Sequence, residues 1–363
     1  MNRHSAKWAA YPPDVLPAWV AEMDFPLAEP VKAALHDAIE RDDTGYLGPG
    51  LLGVPAAFAD FAERRMGWSV DPEQVSVATD VMVGIEELLQ VLTEPGAGVV
   101  ITPPVYPPFF ADIRHAGREV VEAPLAGGDF DIGAIERAFE QGAQALLISN
   151  PHNPLGRVWS AAELGALADV AGEHGAWVIS DEIHGPLALD VPYTPFLQVS
   201  DRAFALTSAS KAFNLAGLKL GLIVTAGGEA RDRVAKISGQ AHWRAGYLGA
   251  VAAEAAFREG DEWLDGVLET LAGNRRLLGE LLAERLPGVR YAPPQASFLA
   301  WLDCRGLGLG DDPAAVFLER GRVALSRGLD FGPQGAGFAR LNIGTSPELV
   351  EEAVTRMAAA STR

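Results

Sequence analysis

Three short segments hold reactive side chains close together: Ser149-Asn-Pro-His-Asn-Pro-Leu-Gly156, Ser180-Asp-Glu-Ile-His184 and Ser208-Ala-Ser-Lys211. They offer an amide, a carboxylate, hydroxyls and a primary amine. Each begins where an apolar run ends. In an open parallel sheet the carboxyl ends of the strands line one crevice, so all three segments can converge on one ligand. The amine stands out because lysine is scarce: of 29 lysines and arginines only Lys7, Lys32, Lys211, Lys219 and Lys236 are lysines. Where arginine is the default cation, a lysine more often marks a need for a primary amine or a compact charge.

The elements that position these segments can be read from about residue 75 to 225. Short β-rich runs alternate there with helical stretches: Val75–Ala78, Val99–Thr102, Glu119–Ala123, Ala145–Ser149, Trp177–Ser180, Ala203–Thr207 and Leu220–Thr225. The runs are nearly continuously apolar, as expected for strands covered on both faces. Ser160-Ala-Ala-Glu163 reads as a capping box that opens a helix, and Gly175 follows its end. The fold class is therefore α/β with a mostly parallel central sheet. Helical sequence from about 247 to 286 leads to a smaller α/β region, whose last helix is opened by Thr345-Ser346-Pro347. The first 30 residues read as an arm plus a short helix. The expected division is a large domain over 38–255, with 1–37 and 256–363 forming the arm and a small C-terminal domain.

The three segments match the needs of pyridoxal 5′-phosphate (PLP). Its aldehyde needs a lysine, and its ring nitrogen needs an acid that keeps it protonated. The phenolic oxygen needs a donor, and the phosphate needs hydroxyls, backbone amides and a cation. Ser208-Ala-Ser-Lys211 also spells the S-x-x-K element of penicillin-recognising serine enzymes, but the S-D-N and K-T-G partners of that element do not occur.

With these segments the chain resembles the fold-type I PLP enzymes of the class I/II aminotransferase superfamily. It is most similar to the branch of cystathionine β-lyase-like C–S lyases. The likeness also runs through Ala18-Trp-Val-Ala-Glu-Met-Asp-Phe25, Gly45-Tyr46, Trp263-Leu-Asp265 and Arg340-Leu-Asn342. It implies that Lys211 carries the cofactor as an imine and moves the proton at the substrate's α-carbon. Asp181 would pair with the ring nitrogen, Asn153 would donate to the ring oxygen, and Tyr106 would stack on the ring. His184 would contact the ring oxygen or support Asp181. Ser208, Ser210, Lys219 and the amides near Val81 and Met82 would bind the phosphate. Tyr46 would reach the phosphate of a neighbouring subunit, which implies a homodimer, and Arg340 would clamp the substrate carboxylate. Asp80 departs from the pattern, because it puts a carboxylate at the phosphate turn where relatives have a small residue. The activity implied is β-elimination from cystathionine or a related S-substituted cysteine. An aminotransferase is the first alternative and a non-catalytic ligand-binding protein of the same fold the second.

Composition argues against two classes of partner and leaves in place the small amino-acid substrate that the resemblance implies. A formal charge of −19 argues against nucleic acid and anionic membranes, both of which need a basic face. No run of eighteen apolar residues and no basic-then-apolar leader is present, so neither a membrane span nor a signal peptide is expected. The single cysteine, Cys304, rules out an intrachain disulfide, fits the cytoplasm, and reads as core filler. Histidine spacing suggests no metal site.

Overall fold

The computed structural model describes residues 3–48, 50–239 and 243–362. Seven strands form its large sheet: β1 (Val75–Ala78), β2 (Gly98–Ile101), β3 (Glu119–Glu122), β4 (Ala145–Ser149), β5 (Trp177–Asp181), β6 (Ala203–Thr207) and β7 (Gly221–Thr225). Their spatial order is β1-β7-β6-β5-β4-β2-β3. Only β7 runs against its neighbours; all other pairings are parallel.

The apolar runs become strands because both faces of the sheet are covered. Every residue of β4, β5, β6 and β7 is buried. Leu147 and Ile179 point to one side, where they pack with Ile85, Leu88 and Leu89 of helix α1 (Val81–Leu92). Leu146, Ile148 and Val178 point to the other, against Leu164 and Leu167 of the helix Ala161–Glu173. Each such side chain contributes about 1.5–3 kcal/mol by leaving water, and truncating Leu147 to alanine would cost about 2–5 kcal/mol. The capping box that starts the second helix is present, with Ser160 Oγ accepting from the Glu163 amide and Glu163 Oε2 from the Ser160 amide.

Register then places the reactive segments. Ser149 pairs with Asp181, and Asp181 with Leu206, so the ends of β4, β5 and β6 lie level. Asp181 is thus the last residue of a central strand, one place further than the apolar pattern indicated, and is rigid for that reason.

The helices Tyr247–Glu259 and Asp261–Arg285 lead to an antiparallel four-stranded sheet ordered Ser326–Arg327, Phe338–Asn342, Leu299–Asp303, Arg290–Tyr291. The last helix, Pro347–Ser361, has Ser346 at its N-cap and proline in its first turn. The arm joins this region through Leu16–Pro17, which pairs parallel with Val323–Ala324. Lys7 is only 1 % exposed; its ammonium donates to Asp24 Oδ2 at 2.7 Å, and Trp8 Nε1 donates to Asp24 Oδ1 at 3.0 Å. That pair fixes the arm where it meets the pocket, since removing one partner of a buried pair costs about 3–5 kcal/mol. Cys304 is a free, buried thiol. Among the described residues no helix is long and apolar enough to cross a membrane.

Candidate active site

A cavity of about 720 Å³, counting its open mouth, lies at the carboxyl ends of β4, β5 and β6. Lys211, Asp181, Asn153, Tyr106, His184, Ser210, Lys219, Val81 and Met82 all line it, as do Ala21, Asp80 and Leu220. Three expected site residues are not in the lining: Arg340 stands behind Asn153, Ser208 is turned away, and Tyr46 lies on the surface.

Lys211 sits on a four-residue helix, Ala209–Ala212, that follows β6 directly. Its Nζ donates to the Ala21 carbonyl at 3.0 Å, a contact made by the arm. Withdrawal from water lowers its pKa to about 8; Arg340 adds to the effect and Asp181 opposes it. Such an amine is partly neutral near neutral pH and therefore nucleophilic. Asn214, three residues on and left-handed at φ 59°, accepts from the Met23 amide at 2.9 Å and donates to the Met23 carbonyl at 2.8 Å. The lysine turn and the arm are thereby held together.

Asp181 is buried, and that burial raises its carboxyl to about 6 against the effects of the Ile183 amide and Lys211. A buried carboxylate with so few donors is poised to gain from a cation beside it. His184 is buried too, and its imidazole is pushed down to about 3, so it is neutral. Its Nδ1 has no partner, and its ring meets Phe298 edge-on with centroids 5.8 Å apart. His152 resembles it in being buried and neutral, with both ring nitrogens unpartnered, but it packs on Trp159 outside the pocket.

Arg340 is buried on the strand Phe338–Asn342. It donates to Asn153 Oδ1 at 2.9 Å, to the Trp19 carbonyl at 3.1 Å and to Ser326 Oγ at 3.0 Å, while its Nε has no partner. Because Arg340 claims the oxygen of Asn153, the amide nitrogen Nδ2 remains as a donor.

The phosphate end differs from its expectation. Ser208 Oγ caps its own helix by accepting from the Ser210 amide and donates to the Leu220 carbonyl at 2.6 Å, which leaves no proton for a phosphate. Asp80 is the N-cap of α1, with Oδ1 accepting from the Val83 amide at 2.9 Å. Its Oδ2 accepts from Lys219 Nζ at 2.8 Å. The expected cation and helix start are in place, but a carboxylate of the chain already engages both.

Sequence reasoning missed the arm carbonyls of Trp19 and Ala21, because backbone acceptors leave no residue-type signal. It also missed Glu182, a buried carboxylate raised to about 7 by desolvation and bound by Tyr193, the Phe196 amide and Ser180. Away from the pocket, Glu86, Asp112 and His115 bring possible ligand atoms within 4.8 Å of one another. Tyr46 is 80 % exposed and meets Trp243 edge-on at 5.9 Å.

Residues 20–357 match the model of the family described as aminotransferase class I and II. A cystathionine β-lyase of Corynebacterium glutamicum is 37% identical, over 98% of this chain and 96% of its own length. The cystathionine β-lyase PatB of Bacillus subtilis is 35% identical, over 96% of this chain and 92% of its own. The crystal structure of cystalysin from Treponema denticola, which contains pyridoxal 5′-phosphate, superposes with a TM-score of 0.92 at 26% identity, covering 99% of this chain and 96% of that one.

Proposed function

We propose, from the premise that this chain belongs to the class I and II aminotransferase family, that it is a PLP-dependent carbon–sulfur β-lyase. It cleaves cystathionine or a related S-substituted cysteine to a thiol, pyruvate and ammonia. The observation that carries this reading is the 35–37% identity to two cystathionine β-lyases, which extends over almost the whole chain. The pocket itself supports the cofactor: it pairs a depressed amine with a raised carboxyl and adds a neutral imidazole with an orphaned nitrogen.

Lys211, Asp181, Asn153, Tyr106, Ser210 and Lys219 would hold pyridoxal phosphate, with the start of α1 beside its phosphate. When bound, that group supplies an electron sink for charge developing at the substrate's α-carbon. The chain does the rest. Lys211 Nζ would hold the cofactor, and its amine, when free, would accept the substrate's α-proton. Asp181 would favour a protonated ring nitrogen by its negative charge, and Asn153 would donate to the ring oxygen through Nδ2. Arg340 would orient the substrate carboxylate by its planar fork once it exchanges its contacts with Asn153 and the arm for that ligand. As the Cβ–S bond breaks, the sulfur leaves as a thiol and the three-carbon remainder is hydrolysed to pyruvate and ammonia.

The same reading includes a homodimer in the cytoplasm. Exposure of Tyr46 and Trp243 supports the dimer, since large aromatics are enriched at interfaces. The buried single cysteine supports a reducing compartment.

The deciding experiment is pyruvate release from L-cystathionine by PLP-loaded protein without added keto acid. Sustained release beyond one equivalent is expected. No sustained release, with a single-turnover change of the cofactor to its amine form that a keto acid reverses, would establish an aminotransferase instead.

A further inference from the structure

We propose that Asp80 is a built-in anion at the phosphate end of the pocket: it competes with the cofactor's phosphate for Lys219 and for the start of α1, and so sets how strongly this chain prefers phosphorylated over phosphate-free pyridoxal. This rests on the cofactor reading above and deepens it. Both oxygens of Asp80 are committed, one to the Val83 amide at 2.9 Å and the other to Lys219 Nζ at 2.8 Å, and Asp80 and Lys219 both line the cavity. These partners, an ammonium and helix-opening amides, are the ones a phosphate monoester would seek.

Nor can the competitor withdraw easily. The backbone of the turn is pressed against β7: a Cβ on Gly221 would come within 2.6 Å of the Asp80 carbonyl carbon and 2.9 Å of the Val81 amide nitrogen. The backbone of Lys219 is fixed as well, in a left-handed conformation at φ 59°, with its carbonyl accepting from the Gly246 amide at 2.9 Å. A side-chain rotation that moved the carboxylate away would uncap α1. Phosphate binding therefore either shares Lys219 with a carboxylate or gives up the cap, and each route weakens it.

The test uses the full chain stripped of cofactor, as wild type, Asp80→Asn, Lys219→Gln and the double variant. Asparagine caps helices about as well as aspartate, so Asp80→Asn removes the charge and keeps the turn. Asp80→Ser, another good cap, serves as the second substitution should the first fail to fold. Affinities for pyridoxal phosphate and for pyridoxal are read by absorbance of the imine on Lys211. The preference for the phosphorylated form should rise about tenfold in Asp80→Asn, fall about tenfold in Lys219→Gln, and return near wild type in the double variant. Pyridoxal affinity itself should not change with Asp80. An unchanged or reduced preference in Asp80→Asn, or an equal shift for both ligands, overturns the role of Asp80 and leaves the cofactor reading intact. Failure of the wild type to form the imine on Lys211 overturns both.

Discussion

At one end of the pocket Asp181, Lys211 and His184 are withdrawn from water with too few partners, whereas at the other Asp80 and Lys219 satisfy each other and Ser208 behind them is satisfied by the Ser210 amide and the Leu220 carbonyl. At the first end burial dominates: Asp181 is raised to about 6, Lys211 is lowered to about 8, and His184 keeps an unpaired nitrogen. At the second end hydrogen bonds dominate, and the Asp80 carboxyl lies below its ordinary range because Lys219 and the Val83 amide favour its charge over a desolvation that opposes them. A ligand arriving at the first end relieves a cost already incurred in folding. A ligand arriving at the second must exchange partners. Reactivity is concentrated where the protein leaves its own groups unsatisfied, as expected for sites with perturbed titration.

The contrast can be broken most severely at Lys211. Lys211→Ala should lower turnover by at least about a thousandfold while circular dichroism shows an intact fold; full activity in that variant would remove the basis for the site. Asp181→Asn comes next. Turnover should fall about a hundredfold, yet the cofactor-free protein should become more stable by about 2–3 kcal/mol at pH 7, because an ill-partnered buried carboxylate is gone. The sign follows from linkage: below pH 3.8 the folded and unfolded chains both hold this proton, so the variant gains nothing there. Its advantage grows as the pH rises from 3.8 to about 6 and is constant above that, and a series of urea midpoints across that window checks it. Asp80→Asn should act in the opposite direction and least of all. It loses a pair in which Lys219 is largely exposed, at a cost under about 1 kcal/mol in the same unfolding assay. Stabilisation by both substitutions would mean that the two ends do not differ as described.

Much of the fold was legible because it depends on local pattern. The seven runs of the large sheet each became a strand to within a residue or two at either end; in β4 to β7 full burial demands continuous apolar sequence, while the edge strand β3 keeps its two glutamates exposed. The capping box at Ser160 and the Ser346-Pro347 start were legible for the same local reason. The site was legible in part: Lys211, Asp181 and Asn153 meet because three strands end level. What escaped is long-range. The pairing of Asp80 with Lys219 joins residues 139 apart in sequence, and the Lys211 contact comes from an arm carbonyl 190 residues away. Ser208 was read as a phosphate ligand, but a hydroxyl at the start of a helix has a competing local use in capping it.

Cys304 gains a second meaning beside this chemistry. Its thiol is buried against the Leu302 carbonyl, and burial raises it to about 12, so hardly any thiolate forms at neutral pH. Thiol–disulfide exchange needs an accessible thiolate. A catalyst that releases a thiol at every turnover is thus protected from forming mixed disulfides with its own product, and oxidation of that product in the surrounding medium leaves the protein's covalent structure unchanged.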